Sequence, residues 1–204
     1  MGLGRDAGRT AGGRRRRWRP AAGRSLTANA VDVALQCVPA PSRVLVLSCG
    51  TGELARRLAS ASPTALTVVG VDHRPAAIRR ARATGADDRV RFDVGRAEEL
   101  RYPDRSFDLV VCPGAVTRWR DPERGLAQCA RLLAPGGRLV VAGRTSVGSW
   151  VAALVGQGAG AGRRRKTERL LSAGGFASIQ WHECHRGAVR AASAVPMSVW
   201  CPTG

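Results

Sequence analysis

The sequence is short of acids, lysine and aromatics, and each shortage narrows the reading. Only 15 Asp and Glu face 33 Lys and Arg, giving a net charge of +18, and Lys166 is the single lysine. Such a balance attracts polyanions. RNA-binding surfaces, however, pair positive charge with stacking side chains. Aromatic residues make up 4% of this chain, and Trp18 is the one aromatic in its most basic stretch. No apolar run approaches the ~20 residues that a spanning helix needs. The six cysteines show no C-x-x-C spacing, which argues against a zinc ribbon or a redox pair. Most lie in apolar segments and read as small buried hydrophobes in a reducing, cytoplasmic setting. His182, Cys184 and His185 are the nearest thing to a metal cluster. On a strand, 182 and 184 share a face and 185 points away, so only two ligands converge and no metal site is expected.

The charge is uneven. Residues 1–24 hold eight arginines against Asp6, and Arg163, Arg164, Arg165 and Lys166 form a second block. The first segment has almost nothing to bury and reads as a disordered basic arm, ahead of a domain spanning 25–204. The stretch after Arg17 is not a continuous apolar core, which argues against a twin-arginine leader; an Arg-rich transit peptide is the alternative. At this length the remainder buries one full core.

The densest information lies between Val44 and Ala59. Val44, Leu45, Val46 and Leu47 are a buried-strand run, Gly50 and Gly52 make a turn, and Leu54 and Leu58 give the next helix an apolar face. Strand, glycine turn and helix in this order build a ligand site. The turn lets a ligand approach the backbone, and the helix N-terminus offers free N–H groups. A second apolar strand, Leu66–Val71, ends at Asp72, 20 residues after Gly52. An acid there accepts from ribose hydroxyls in nucleotide-binding folds. Ala55 stands where a third glycine would complete G-x-G-x-x-G, so the pattern fits a nucleoside without a pyrophosphate.

Further elements follow by pattern. Helices are expected over Ser25–Val38, from Glu53 to about 61, and from Pro75 to about Thr84. Strands are expected at 43–48, 90–94 and 107–112. Asp121-Pro122-Glu123 opens a helix with a cap, an N1 proline and an acid in the first turn, and Gly136-Gly137 is expected to end it. Strand five follows at 138–142. The Gly/Ala segment 156–162 reads as a flexible link, with a helix over 167–173 and strands near 176–183 and 189–200.

These blocks resemble class I S-adenosylmethionine-dependent methyltransferases, in particular the small type 11 group. The matching segments are LSCGTG (47–52), VVGVD (68–72), GRAEELRYPDRSFDLVV (95–111) and DPERGLAQCARLLAPGGRLVVAG (121–143). The resemblance implies an α/β, Rossmann-like doubly wound sheet of seven strands, mostly parallel with one antiparallel strand and the last two strands paired antiparallel at the edge. It implies S-adenosylmethionine as cofactor. Ser48, Cys49, Gly50, Thr51 and Gly52 would line its methionine part, Asp72 its ribose, and His73, Ala97 and Glu98 its adenine. Cys112, Pro113 and Gly114 would sit near the transferred methyl. A competing reading of Asp72 makes it a cap for the Pro75 helix.

Four departures from the family pattern stand out. Val46 and Arg96 replace acids, Ser48 replaces glycine, and Thr117-Arg118 stand where many relatives carry histidines. Arginine has no acceptor, so Arg96 leaves the adenine amino group to Glu98 or Asp93. No side chain is assigned as a catalytic base. The implied activity is methylation of a small-molecule acceptor, with Trp119, Val147, Trp150, Val151 and Leu154 as its apolar wall. Ordinary packing is the alternative for the tryptophans. A weak or non-catalytic cofactor-binding domain and an RNA methyltransferase are the alternatives for the chain. The RNA reading lacks the Asn/Asp-Pro-Pro-aromatic motif, since Cys112-Pro113-Gly114-Ala115 stands there.

Overall fold

The computed structural model describes residues 26–38, 41–61, 66–85, 87–114, 116–144, 158–184 and 189–196. The basic arm, His185, the last eight residues and the wall candidates Val147, Trp150, Val151 and Leu154 lie outside them. Elements run α1 (Leu26–Cys37), β1 (Arg43–Leu47), α2 (Glu53–Ala61), β2 (Thr67–Asp72), α3 (Pro75–Ala83), β3 (Val90–Val94) and β4 (Phe107–Pro113). A 3₁₀ turn (Val116–Arg118), α4 (Pro122–Leu132), β5 (Leu133–Arg144), α5 (Gly158–Ala173), β6 (Phe176–Cys184) and β7 (Val189–Pro196) follow.

The seven strands form one sheet in the order β3-β2-β1-β4-β5-β7-β6. All neighbours pair parallel except β7, which runs antiparallel to both β5 and β6. The chain builds β1, β2 and β3 outward in one direction, then returns to lay β4 on the other side of β1. Loops leaving the carboxyl ends of β1 and β4 therefore diverge and open a crevice, where such sheets bind ligands.

Strand β1 explains why both faces are covered. Its residues alternate: Val44 and Val46 point into a cluster with Ala30, Val33, Leu54, Leu58 and Ile78 from α1, α2 and α3. Leu45 and Leu47 point into a second cluster with Leu126, Cys129 and Leu132 of α4 and Leu171 of α5. All four are at most 1% exposed. Val46, which stands where the family carries an acid, is thus pure core here.

Asp121 caps α4 as its sequence predicts, its carboxylate accepting from Arg124 N at 3.0 Å with Pro122 at the first helical position. Two boundaries differ from expectation. Helix α4 ends at Leu132, not at Gly136-Gly137. Leu133, 2% exposed, leaves the helix to pair with Phe107 at the start of β4, and the ladder then resumes at Leu109 with Arg138. The glycine pair lies inside this bulge. Gly136 takes φ +78, and a β-carbon on Gly137 would stand 3.0 Å from the Asp108 carbonyl. Helix α5 begins at Gly158, within the segment read as a flexible link. Its centre is anchored: Glu168 pairs with Arg164 at 3.0 Å and accepts from the Trp181 indole at 2.7 Å. Extension from such an anchor gains one backbone hydrogen bond per residue, which offsets the poor helix propensity of glycine.

Candidate cofactor site

The turn after β1 is built from unusual backbone. Ser48, Gly50 and Gly52 all have positive φ, at +54, +59 and +81. Gly52 N–H donates to the Cys49 carbonyl at 3.0 Å, and Cys49 N–H donates to Val71 at the end of β2 at 3.0 Å. The two glycines serve different purposes. A β-carbon on Gly50 would meet nothing within 4 Å, so open space lies over that residue. On Gly52 it would collide with the Phe92 ring, and on Gly70 it would stand 2.7 Å from the same ring. Gly52 is therefore required by the core, whereas Gly50 leaves the room a ligand needs.

Asp72 is 2% exposed and fully engaged. Its Oδ2 accepts from Gly50 N at 2.9 Å and from Arg74 Nη2 at 3.3 Å. Its Oδ1 accepts from Arg74 N at 3.0 Å and Arg74 Nε at 3.1 Å. Four donors fill the roughly four lone-pair sites of a carboxylate. Burial alone would raise the Asp72 pKa, but the Arg74 side chain and the two backbone donors outweigh it and hold the carboxyl below its usual value. The capping alternative appears in altered form, because Asp72 fixes the N–H of Arg74 itself, the residue before Pro75. Arg74 occupies the N-cap position of α3 without a side-chain cap bond.

Ser48, Asp72, His73, Ala97, Glu98, Cys112, Pro113 and Gly114 line one cavity of about 580 Å³ at the carboxyl ends of β1, β2 and β4. Cys49, Gly50, Thr51 and Gly52 are not among its lining residues; Gly50 reaches it through its bond to Asp72. His73 Nδ1 lies 3.7 Å from Asp72 Oδ1. Glu98, 8% exposed, accepts from Asp121 N at 3.2 Å through Oε1, which ties it to the α4 cap. Asp93 is ruled out as a substitute for the acid missing at Arg96. Its carboxylate is taken by Tyr102 Oη at 2.9 Å and Arg91 at 3.1 Å, and it faces a separate cleft. Glu98 is the acid that lines the cavity besides Asp72. Burial pushes the Cys112 thiol up to about 12, so it stays protonated at neutral pH. Burial, reinforced by the Asp72 charge, does the same to Cys49.

Trp119 both packs and lines. Its ring fills the place where a β-carbon on Gly125 would stand, and it borders the cavity. Arg74 and Arg120 also line the cavity and were not picked out by motif, since arginine is everywhere in this sequence; Arg118, noted only as standing where relatives carry histidines, lines it too. The one signal was local: an arginine at the N-cap position of the Pro75 helix, where a short polar residue belongs. His182 lies elsewhere, with Nε2 3.7 Å from Cys37 Sγ. No helix among the described residues is long and apolar enough to cross a membrane.

A sheet that reverses its order at β1, with a glycine turn after that strand and a buried acid after the next, is a Rossmann-like nucleotide-binding architecture, here with β7 set antiparallel between β5 and β6. Residues 45–141, just under half of the chain, match a family model described as a methyltransferase domain, which supports the resemblance to class I S-adenosylmethionine-dependent methyltransferases. The demethylmenaquinone methyltransferase of Thermus thermophilus is 44% identical over 114 residues, covering 55% of this chain and 50% of that protein. The 27-O-demethylrifamycin SV methyltransferase of Amycolatopsis mediterranei is 38% identical over 104 residues, covering 50% and 38%. The chain thus spans half or less of the length of these curated relatives. Among solved structures, an S-adenosylmethionine-dependent methyltransferase from Mesorhizobium loti superposes with TM-score 0.61 at 21% identity, over 83% of this chain and 97% of that one. The cyclase SpnF superposes with TM-score 0.60 at 26% identity, over 76% and 60%.

Proposed function

We propose that the protein is a methyltransferase that uses S-adenosylmethionine to methylate a small-molecule acceptor. The observation that carries this reading is the single cavity joining Asp72, Glu98 and the end of β4. The residues suit the cofactor. Gly50 leaves room over the turn, Asp72 is a buried acceptor for ribose, and Glu98 is an acid beside the adenine position. The cofactor supplies an electrophilic methyl group carried on a sulfonium. The chain's own work is to bind, orient and exclude water. Ser48–Gly52 hold the amino-acid end, Asp72 the ribose, and His73, Ala97 and Glu98 the base. Cys112, Pro113 and Gly114 border the transfer position, and Trp119 supplies an apolar wall. The curated relatives in quinone and rifamycin chemistry support a small-molecule acceptor.

Calorimetric titration with S-adenosylhomocysteine tests the reading. Saturable one-to-one binding that is weakened at least about tenfold in Asp72→Ala supports it, since a charged acceptor for two hydroxyls is worth ~1.5–3 kcal/mol. No binding to the folded protein refutes it.

A second reading is a domain that binds the cofactor without methylating. It draws on Arg96, which replaces an acceptor, on Arg74, which occupies Asp72, and on likeness to a protein named as a cyclase. Cofactor binding without transfer to any phenolic, carboxylic or enolic acceptor would favour it.

A further inference from the structure

The cofactor cavity carries a surplus of positive charge that the cofactor does not explain. Arg74, Arg96, Arg118 and Arg120 line it, against two acids, Asp72 and Glu98. Arg74 is matched with Asp72. Arg96, Arg118 and Arg120 form no ion pair with any described residue. Arg118 is the best placed of the three. It ends the 3₁₀ turn after β4, and its Nη2 lies 3.3 Å from where a β-carbon on Gly114 would stand. The guanidinium therefore lies against the backbone that borders the transfer position. The sulfonium and ammonium of the methyl donor gain nothing from this charge, and its one carboxylate matches at most one of the three arginines.

The same end of the cavity lacks a proton acceptor among the described residues. Cys112 is 1% exposed and its sulfur is turned to the Gly114 carbonyl at 3.8 Å. His73 follows β2, and β1 lies between it and β4. Glu98 follows β3, still further out, with Oε1 bonded to the α4 cap. Among the described residues, a neutral alcohol or amine acceptor there finds no side-chain base for its proton.

On the reading of the cavity as a methyltransferase site, we propose that the acceptor is a small oxyanion, held by Arg118 with Arg96 and Arg120 at the rim. Such an acceptor brings its own electron pair. Its oxygen forms the new bond to the methyl carbon, the carbon–sulfur bond breaks, and the electrons of that bond return to sulfur, neutralising its charge. No proton has to move. A carboxylate and an ionised phenol or enol share this chemistry, and planar, charge-delocalised groups suit a guanidinium fork in a cavity that the Trp119 ring also lines.

The test uses the full chain saturated with S-adenosylhomocysteine and two probes of one shape, benzoate and benzamide. Trp119 lines the cavity, so tryptophan fluorescence and calorimetry both report binding. Benzoate is expected to bind at least about tenfold more tightly than benzamide, as a charge-assisted hydrogen bond pair implies. The preference should vanish in Arg118→Gln, survive in part in Arg118→Lys, and persist in Arg169→Gln, which removes the same charge outside the cavity. Equal binding of the two probes, failure of both to bind, or an unchanged preference in Arg118→Gln overturns the proposal. Failure of S-adenosylhomocysteine itself to bind would instead strike the methyltransferase reading, so the two failures are told apart.

Discussion

Arg74 fills every acceptor position on the Asp72 carboxylate that Gly50 leaves open. The acid that a ribose would need is thus held by the side chain two residues on. Cofactor binding has to displace the guanidinium, while the Arg74 backbone N–H can stay. The Arg74 side chain is 61% exposed, so solvent screens the pair and the competition is modest. Arg74→Ser is expected to tighten S-adenosylhomocysteine binding by about three- to tenfold, and to leave melting unchanged or slightly raised because serine caps α3. Titration calorimetry and a melting curve check both.

The same carboxylate gives a pH dependence with a definite sign. The folded-state pKa of Asp72 is depressed below its ordinary 3.8. Its contribution to stability is therefore complete above that value and is lost as pH falls through the lower, folded-state value. Asp72→Asn should flatten the acid limb of a stability-versus-pH curve below about pH 4. Chemical denaturation across the acid range, wild type beside variant, measures it. Parallel curves would show that Asp72 is not the group responsible.

Gly50 and Gly52 should separate fold from binding. In Gly52→Ala the new methyl meets the Phe92 ring at a backbone φ of +81, and both overpacking and strain act. A loss of about 2–4 kcal/mol is expected in urea unfolding. In Gly50→Ala no atom stands within 4 Å, so the loss is limited to about 1–2 kcal/mol of left-handed strain. Cofactor binding should nevertheless fall at least about tenfold, because the methyl occupies the ligand's approach.

Ser48 holds a left-handed φ of +54 that glycine adopts without strain. Ser48→Gly should therefore stabilise the fold by about 1 kcal/mol, seen as a higher denaturation midpoint at constant slope. A lower midpoint would mean that the hydroxyl makes a compensating bond.

What could be read directly from the chain was what is local. The run Val44–Leu47 had to be a strand buried on both faces, and Asp121-Pro122 had to start a helix, because periodicity and capping act over a few residues. Asp72 was legible from its place after a strand as a residue of the crevice, and it lines the cavity there. Other features depended on groups distant in sequence. Gly136-Gly137 carried a stop signal, yet Leu133 ended α4 first because Phe107 offered it a place in the sheet and the core. The glycines before α5 signalled a flexible link, yet Trp181 and Arg164 fixed Glu168 and the helix grew back through them. Gly52 was read as serving a ligand, and its neighbour proved to be Phe92, brought from β3 by the pairing of β2 with β3. The sequence by itself determined the succession of strands and helices, the glycine turn and the acid beyond β2, since each is set by nearest neighbours along the chain. Only the tertiary structure decided which side chains meet at the crevice, that Arg74 and not solvent holds Asp72, and that three further arginines line the cavity without an ion-pair partner among the described residues, because contacts across strands depend on sheet order and side-chain direction, and neither is written in local spacing.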